Sequence, residues 1–398
     1  MAKKTVDDLA DLQGKRVLVR VDFNVPLDAA GNVTNDRRIR SAVPTISKLL
    51  NAGAGVIVMS HLGRPKGDPI KDAPFRMNRV ADLLGKHLGV PVKKVDSVVG
   101  TEVVEAARHL APGTVLVLEN LRFHPGEQKG DTVFANQLAA LADVYVNDAF
   151  GTCHRSDASM VAVPRAMAGK PRVVGKLVAR ELQILDELLA NPKRPFLSIL
   201  GGAKVSDKIG FIKSLLGRVN RILVGGAMSY TFLLAQGRGI GSSKAETDKL
   251  DIARELLALG ADRIVLPIDH LIVQGLDKSD TARIVEGEIP PGWIGVDIGP
   301  KTIAVYCAEI ARSATVVWNG PLGKYEDEPY SRGTRAIARA LVNSSAVTIV
   351  GGGETAEAVE SLGLDEKMTH VSTGGGAFLE YVEGTPFEAL AFIDDKKP

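Results

Sequence analysis

The sequence predicts an α/β protein of two domains, each built on a parallel sheet flanked by helices, with a helix joining the halves. Short β-branched runs recur along the chain and are apolar throughout rather than alternating, as strands buried on both faces should be. Most are separated by stretches with apolar residues three and four apart, the spacing of one helix face, and strand-helix-strand repetition means parallel pairing with helices on both sides. At 398 residues the chain also exceeds the size at which one hydrophobic core keeps growing.

Taken in order, strands are expected at RVLVRV (16–21), GVIVMS (55–60), TVLVLE (114–119), DVYVND (143–148), PFLSIL (195–200), RILVGG (221–226), ATVVWN (314–319) and AVTIVG (346–351). Helical spacing runs over 36–52, 76–88, 131–142, 246–259 and 329–342. No Pro/Ser-rich linker interrupts the chain; GKLVARELQILDELLAN (175–191) reads instead as a mid-chain helix and a candidate rigid hinge.

Composition narrows the functional classes. Hydrophobic residues make up 45% and charged residues 24%, ordinary values for a globular protein, and no apolar run is long enough to span a bilayer. A formal charge of +2 is too small to imply nucleic acid as a partner. MAKKTVDDLADLQGKR carries charge where a signal peptide would be apolar, so a cytoplasmic protein is expected. Cys153 and Cys307 lie far apart in no metal-ligand spacing, which favours free thiols and no structural zinc.

Open parallel sheets bind ligands at the carboxyl ends of their strands, and the two halves differ there. The first half offers side chains: Asp22 and Asn24, His61 and Arg64, Arg122, His154 and Arg155, with Arg38 at the opening of the 36–52 helix. The second half offers glycine: LGGAKVSDK (200–208), VGGAM (224–228), WNGPLGKYE (318–326), VGGGET (350–355) and STGGGA (372–377). Glycine lets backbone N–H groups approach an anion, and a following helix points its positive end at the same spot.

Plainer readings stand beside these. A loop arginine is usually a solvated charge, a loop histidine a backbone hydrogen-bond partner, and a glycine pair a turn. Lys204 and Lys208 fall one helical turn apart and project either from an exposed basic face or toward an anion that offsets the helix dipole. Glu354, in a first helical turn, stabilises its helix whether or not it binds anything. The chain lacks GxxxxGK[ST], HExxH, GxSxG and an opening GxGxxG, which removes the fingerprints of P-loop, zinc-protease, hydrolase and dinucleotide sites. A basic pocket on one domain and a glycine-rich nucleotide-type site on the other fit phosphoryl transfer to a small anionic acceptor, with domain closure expelling water.

RVDFNVPLD, DRRIRSAVPTI, SHLGRP, LENLRFHPGE, NDAFGTCHR, GGAKVSDKI, VVWNGPLGKYE, GGGET and HVSTGGGA, in this order across almost the whole chain, resemble the phosphoglycerate kinases. The resemblance implies reversible, in-line transfer between ATP and the carboxylate of 3-phosphoglycerate, giving 1,3-bisphosphoglycerate and ADP in glycolysis. It implies two similar-sized domains: 1–172 for the acid substrate, with the tail 384–398 returning to it, a hinge helix at 173–191, and 192–383 for the nucleotide. It further implies a monomer acting on small molecules, with Mg²⁺ accompanying the nucleotide.

By the same resemblance Asp22, Asn24, Arg38, His61, Arg64, Arg122 and Arg155, with His154 adjoining, bind 3-phosphoglycerate. Arg38 bridges the acceptor and the moving phosphoryl group. Gly202, Ala203, Gly226, Asn319, Pro321 and Glu326 bind nucleotide, Lys204 follows the transferred group, and Lys208 binds nucleotide phosphate. Gly352, Gly353, Glu354, Thr355 and, in the last loop, Gly375 complete the phosphate side, with Gly353 and Gly375 counted as catalytic and Glu354 as the metal ligand. An acceptor carboxylate is already ionised at neutral pH, so alignment and charge compensation suffice. Three departures mark the chain. Glu354 stands where the family has Asp, Asp157 where the acceptor loop normally has His, and Phe378 where a small residue is usual. Rival readings are a same-fold binding protein without turnover, another acid-phosphate-forming kinase, and a nucleotide-dependent dehydrogenase, the last weakened by the missing GxGxxG.

Overall fold

A computed structural model describes residues 2–396, and internal contacts divide them into two units. One runs to Gln183 and takes in the tail from Pro386; the other spans Ile184–Thr385. The first holds β1 (Arg16–Val21), β2 (Gly55–Met59), β3 (Val92–Lys94), β4 (Val115–Val117), β5 (Val144–Asp148) and β6 (Arg172–Val174). They form one parallel sheet in the order β3-β4-β2-β1-β5-β6. β2 and β5 are buried at every position. Val17, Val19, Val56 and Val58 of the sheet meet Ile39, Ile46 and Leu49 of helix Arg37–Asn51 in one core. Each such side chain withdrawn from water contributes roughly 1.5–3 kcal/mol.

The second unit adds β7 (Phe196–Leu200), β8 (Arg221–Val224), β9 (Ile264–Val265), β10 (Asp269–Val273), β11 (Arg283–Glu286), β12 (Ile294–Ile298), β13 (Thr315–Asn319), β14 (Val347–Gly351) and β15 (His370–Val371). Six of them form a parallel sheet in the order β15-β14-β13-β7-β8-β9. The remaining three, β11-β10-β12, form a separate antiparallel sheet. The two expected parallel sheets are thus present, and this third sheet is an addition to them. β10 opens on buried Asp269 and His270, and β11 is largely exposed, so neither shows an apolar run. Asp269 is buried because the amides of Lys301 and Thr302 donate to it at 2.9 and 2.8 Å, fixing the start of helix Pro300–Ala311.

The tail returns to the first unit. Lys3 bridges Asp395, the Arg172 guanidinium donates to Asp394 at 2.9 Å, and Arg165 meets Glu388 at 3.0 Å. The expected mid-chain helix spans Lys176–Ala190, and the boundary between units falls within it, after Gln183. Its first turn is held by Asp148 at the end of β5, whose Oδ1 accepts from Leu177 N at 3.0 Å, while Thr45 Oγ1 accepts from Lys176 N at 2.8 Å.

Burial pushes the Asp148 carboxyl up to about 7, against the lowering pull of the Thr45 hydroxyl and the Val178 and Leu177 amides. A carboxyl with a raised native pKa binds its proton more tightly folded than unfolded, so its contribution to stability is full at acid pH. That contribution declines from about pH 4 to about pH 7 and is flat above. Asp148→Asn, which keeps an oxygen for the two amides, should remove this slope. Urea unfolding across that range should show wild type losing about 2–4 kcal/mol relative to the variant. Parallel curves for the two proteins would show that the carboxyl is ionised throughout.

Candidate functional site

The polar residues expected at the ends of β1, β2, β4 and β5 surround one buried imidazole, His61. Arg20 NH2 lies 3.2 Å from His61 Nδ1, and Arg155 NH1 3.4 Å from Nε2. Asp22 Oδ1 stands 3.9 Å from Nδ1, and the Asp22 carboxylate also pairs with Arg38. Burial works to raise Asp22, but Arg38, His61 and Arg20 outweigh it and hold its carboxyl at about 2. Burial is also the leading reason that His61 lies well below its ordinary pKa. Arg20, Arg122 and Arg155 push it the same way, against Asp22, so the ring is neutral near pH 7. With Arg20 donating to Nδ1, the ring proton belongs on Nε2, facing Arg155.

The loops carrying the remaining residues are tied from below. Asn24 Oδ1 accepts from Gly63 N at 2.8 Å, and Arg122 NH1 donates to Gly63 O at 2.7 Å. Arg122 Nε is buried without a partner. Its guanidinium pKa is lowered by burial and then by Arg155, which means this pocket holds more positive charge than its own carboxylates balance. Arg64 is exposed on the same loop as His61, and His154 is half-buried beside Arg155. Asp157 is buried with Oδ2 unpartnered and acts on Arg122 as a counter-charge.

Four participants escape a sequence reading. Arg20 looks like the polar interruption of a strand, yet it is fully buried and donates from Nε to Ser159 Oγ at 2.8 Å. Ser159 in turn donates to buried Glu127 at 2.6 Å. Asn120 ties the strand-end loops together, with Nδ2 2.7 Å from Leu62 O and Oδ1 accepting from Arg122 N at 3.1 Å. The only signal in the sequence is position. Glu127 and Asn120 lie within LENLRFHPGE, beside the arginine that drew attention.

In the second unit the glycine loops interlock. Gly201 N donates to Asn319 O at 3.0 Å, Gly202 N to Pro321 O at 2.8 Å and Gly226 N to Leu322 O at 2.8 Å. A Cβ on Gly201 would lie 2.0 Å from Pro321 O, which explains why glycine is required. Beside these loops opens a cleft of about 430 Å³ lined by Gly202, Ala203, Gly226, Pro321, Glu326 and Glu354, all expected residues. Tyr230, Lys244, Leu276, Ile294 and Val296 also line it and lie outside the expected set; Ile294 and Val296 come from β12 of the unpredicted antiparallel sheet. The cleft therefore joins an apolar wall suited to a flat base with a glycine floor suited to phosphate.

Several expected residues stand elsewhere than the lining. Lys204 is exposed in the loop after β7, whereas Lys208 is turned inward and buried, donating to Gly201 O at 2.8 Å and Asn319 O at 2.9 Å. They do not project together from a helical turn, because a 3-10 turn at Ser206–Lys208 intervenes before helix Ile209–Leu216. Burial pulls Lys208 down to about 8, against Glu354 and Asp207. Thr355 is buried, and its hydroxyl accepts from Gly320 N at 2.6 Å, so it links two loops. Gly352, with φ +93°, opens helix Gly353–Ser361, which has no side-chain cap, and Gly375 likewise opens helix Gly376–Glu383. Asn319 Nδ2 is buried beside Gly352 without a partner. Phe378 is accommodated because Gly351 has no Cβ; one there would meet its ring at 2.5 Å.

The chain is similar to known proteins over almost its whole length. The sequence model described as phosphoglycerate kinase matches residues 6–385. The chain is 52% identical to the phosphoglycerate kinase of Rhodopirellula baltica, covering 99% of this chain and all of that protein. It is 50% identical to that of Rubrobacter xylanophilus, with both chains covered in full. Among solved structures, phosphoglycerate kinase from Coxiella burnetii superimposes with a TM-score of 0.84 at 38% identity, covering 98% of each chain. The enzyme from Pyrococcus horikoshii gives 0.86 at 28% identity, again over 98% of each.

Proposed function

The chain belongs to the phosphoglycerate kinase family and is a kinase of glycolysis, moving a phosphoryl group between ATP and 3-phosphoglycerate; we propose how its own residues do so. Arg38, His61, Arg64, Arg122 and Arg155 bind the anionic groups of 3-phosphoglycerate, with Asp22, Asn24 and His154 orienting it. The observation that carries this reading is the surplus positive charge around His61. Arg20, Arg122 and Arg155 each act to lower its pKa, and an anion relieves that strain. The imidazole and Arg155 face each other as two donors, and one phosphate or carboxylate oxygen accepts from both.

Gly202, Ala203, Gly226, Pro321 and Glu326 receive the nucleotide in the cleft, and Lys204 follows the transferred group. Gly352, Gly353 and Gly375 open uncapped helix N-termini, and Asn319 Nδ2 is a spare donor; together they meet phosphate oxygens. Lys208 and Thr355 act from behind, holding the loops of Gly201, Asn319 and Gly320 in place.

The donor set fits a metal carried by the nucleotide. Glu354 lines the cleft as an exposed carboxylate, and among the described residues no three His, Cys, Asp or Glu side chains form a cage. Mg²⁺ keeps most of its ligands as water and phosphate oxygens and takes one or two carboxylates from a protein, which is what Glu354 provides. When bound, it neutralises phosphate charge. Helix Lys176–Ala190 serves as the hinge about which the units close for in-line transfer. No helix among the described residues is long and apolar enough to cross a membrane, and we place the enzyme in the cytoplasm as a monomer.

The test is ATP- and Mg²⁺-dependent acyl phosphate formation from 3-phosphoglycerate, followed by coupled reduction, with Mn²⁺ in parallel and acetate as control acceptor. Turnover with Mg²⁺ and none with acetate is expected. Binding of both substrates without turnover under either metal would replace this reading with a silent binding protein.

A further inference from the structure

The loop that carries Lys204 differs from two other glycine loops of this half-site in what its amides meet. Helices Gly353–Ser361 and Gly376–Glu383 begin without a side-chain cap. Ahead of helix Ile209–Leu216 two amides are already occupied. Glu246 Oε2 accepts from Val205 N at 2.6 Å and from Ser206 N at 3.0 Å, and Ser206 Oγ donates to Oε1 at 2.5 Å. Glu246 is itself fixed from behind, its amide donating to Thr231 Oγ1 at 3.0 Å, and Thr231 is fully buried in helix Met228–Ala235. Burial works to raise the Glu246 carboxyl, but the bonds from Ser206 and Val205 outweigh it and hold the group below its ordinary range, against Asp248.

An anion cannot use the Val205 and Ser206 amides, and the full positive charge this loop offers phosphate is that of a side chain. The side chain in place is Lys204, the residue immediately before the two clamped amides, and among the described residues its ammonium has no hydrogen-bond or ion-pair partner. A long flexible lysine is only as well aimed as its Cα. Here the Cα is set by a three-bond clamp from a loop far along the sequence, 41 residues on from Val205. The same loop sends Lys244 to the wall of the nucleotide cleft, so cleft and clamp are built as one piece.

We propose that Glu246 is a positioning residue, which holds the backbone at Val205 and Ser206 so that Lys204 is aimed at the phosphoryl group in transfer. This rests on the role given to Lys204 above. Its signature is a loss of kcat with little change in KM for the acid substrate, because the residues that bind that substrate belong to the other unit.

The experiment is a double-mutant cycle of Glu246→Ala and Lys204→Ala in the full chain, with Glu246→Gln alongside. Misplacing a reacting group by about 1 Å costs up to about 100-fold, so Glu246→Ala should lower kcat by roughly 30-fold or more. Glu246→Gln, which keeps an oxygen for both amides, should recover most of that. In the Lys204→Ala background, Glu246→Ala should cost less than about twofold, because the residue it aims is gone. Equal losses in both backgrounds would overturn the proposal and leave Glu246 a purely structural clamp. A Lys204→Ala enzyme of undiminished kcat would overturn the Lys204 reading and the proposal with it. Should Glu246→Ala not fold, Glu246→Asp, whose shorter arm cannot reach all three donors, takes its place in the cycle with the same criteria.

Discussion

Arg38→Ala lowers kcat by about 10³-fold, and steady-state kinetics in the coupled assay should show it with the KM for ATP little changed. Arg38 sits in the first turn of helix Arg37–Asn51 and pairs with Asp22, which is buried where Arg38 is only partly so. That pairing gives the substitution a second effect. Without Arg38 the Asp22 carboxyl loses the largest influence that holds it at about 2, while the burial that raises it remains. A carboxyl with a depressed native pKa contributes stability above its unfolded pKa and loses it as pH falls. The variant therefore forfeits that contribution at neutral pH. Because Arg38 is partly solvated, the loss should be about 1–2 kcal/mol rather than the larger cost of breaking a fully buried pair. Adding Asp22→Asn separates the two effects, since it removes the unpaired charge and restores stability without restoring kcat. A single-variant kcat within about tenfold of wild type would remove Arg38 from the transition state.

The sheets were legible because their central strands are buried on both faces and so spell continuous apolar runs. β1, β2, β4, β5, β7, β8, β13 and β14 all lie within the expected stretches. What lay at the ends of those runs was legible for the same reason. A polar or glycine residue directly after an apolar strand stands where parallel sheets bind ligands. β3, β6, β9 and β15 are edge strands of two or three residues, too short to show a period. The β10–β12 sheet was hidden because Asp269 and His270 break its most buried strand. Within the site, the directions of side chains were not legible. RVLVRV shows Arg20 as a charge in a strand but not that polar partners on neighbouring elements let it be buried. The spacing of Lys204 and Lys208 suggested a shared face, whereas the 3-10 turn between them sends one outward and the other into the loops beneath.

That divergence predicts opposite phenotypes for two lysines four residues apart. Lys204→Ala should lower kcat by about 10³-fold and leave unfolding within about 0.5 kcal/mol, since an exposed side chain with no internal partner contributes little to stability. Lys208→Met should do the reverse. Two terms oppose each other there. Removing the ammonium ends the penalty of holding charge in a dry site, which the shift from 10.5 to about 8 puts at roughly 3 kcal/mol. It also strands Gly201 O and Asn319 Oδ1, which accept from Nζ at 2.8 and 2.5 Å, while Asn319 O loses its 2.9 Å bond but keeps the one from Gly201 N. Each buried acceptor left without a donor costs about 1–3 kcal/mol, so the two together slightly outweigh the relief and the net loss is about 1 kcal/mol. With Asn319 no longer held, the KM for ATP rises while kcat falls less than about tenfold. Urea unfolding and steady-state kinetics on both variants decide the matter. A Lys208→Met enzyme as stable as wild type but without turnover would mean that this ammonium leaves its three acceptors for the nucleotide phosphate during the reaction, and that the buried position is a resting one.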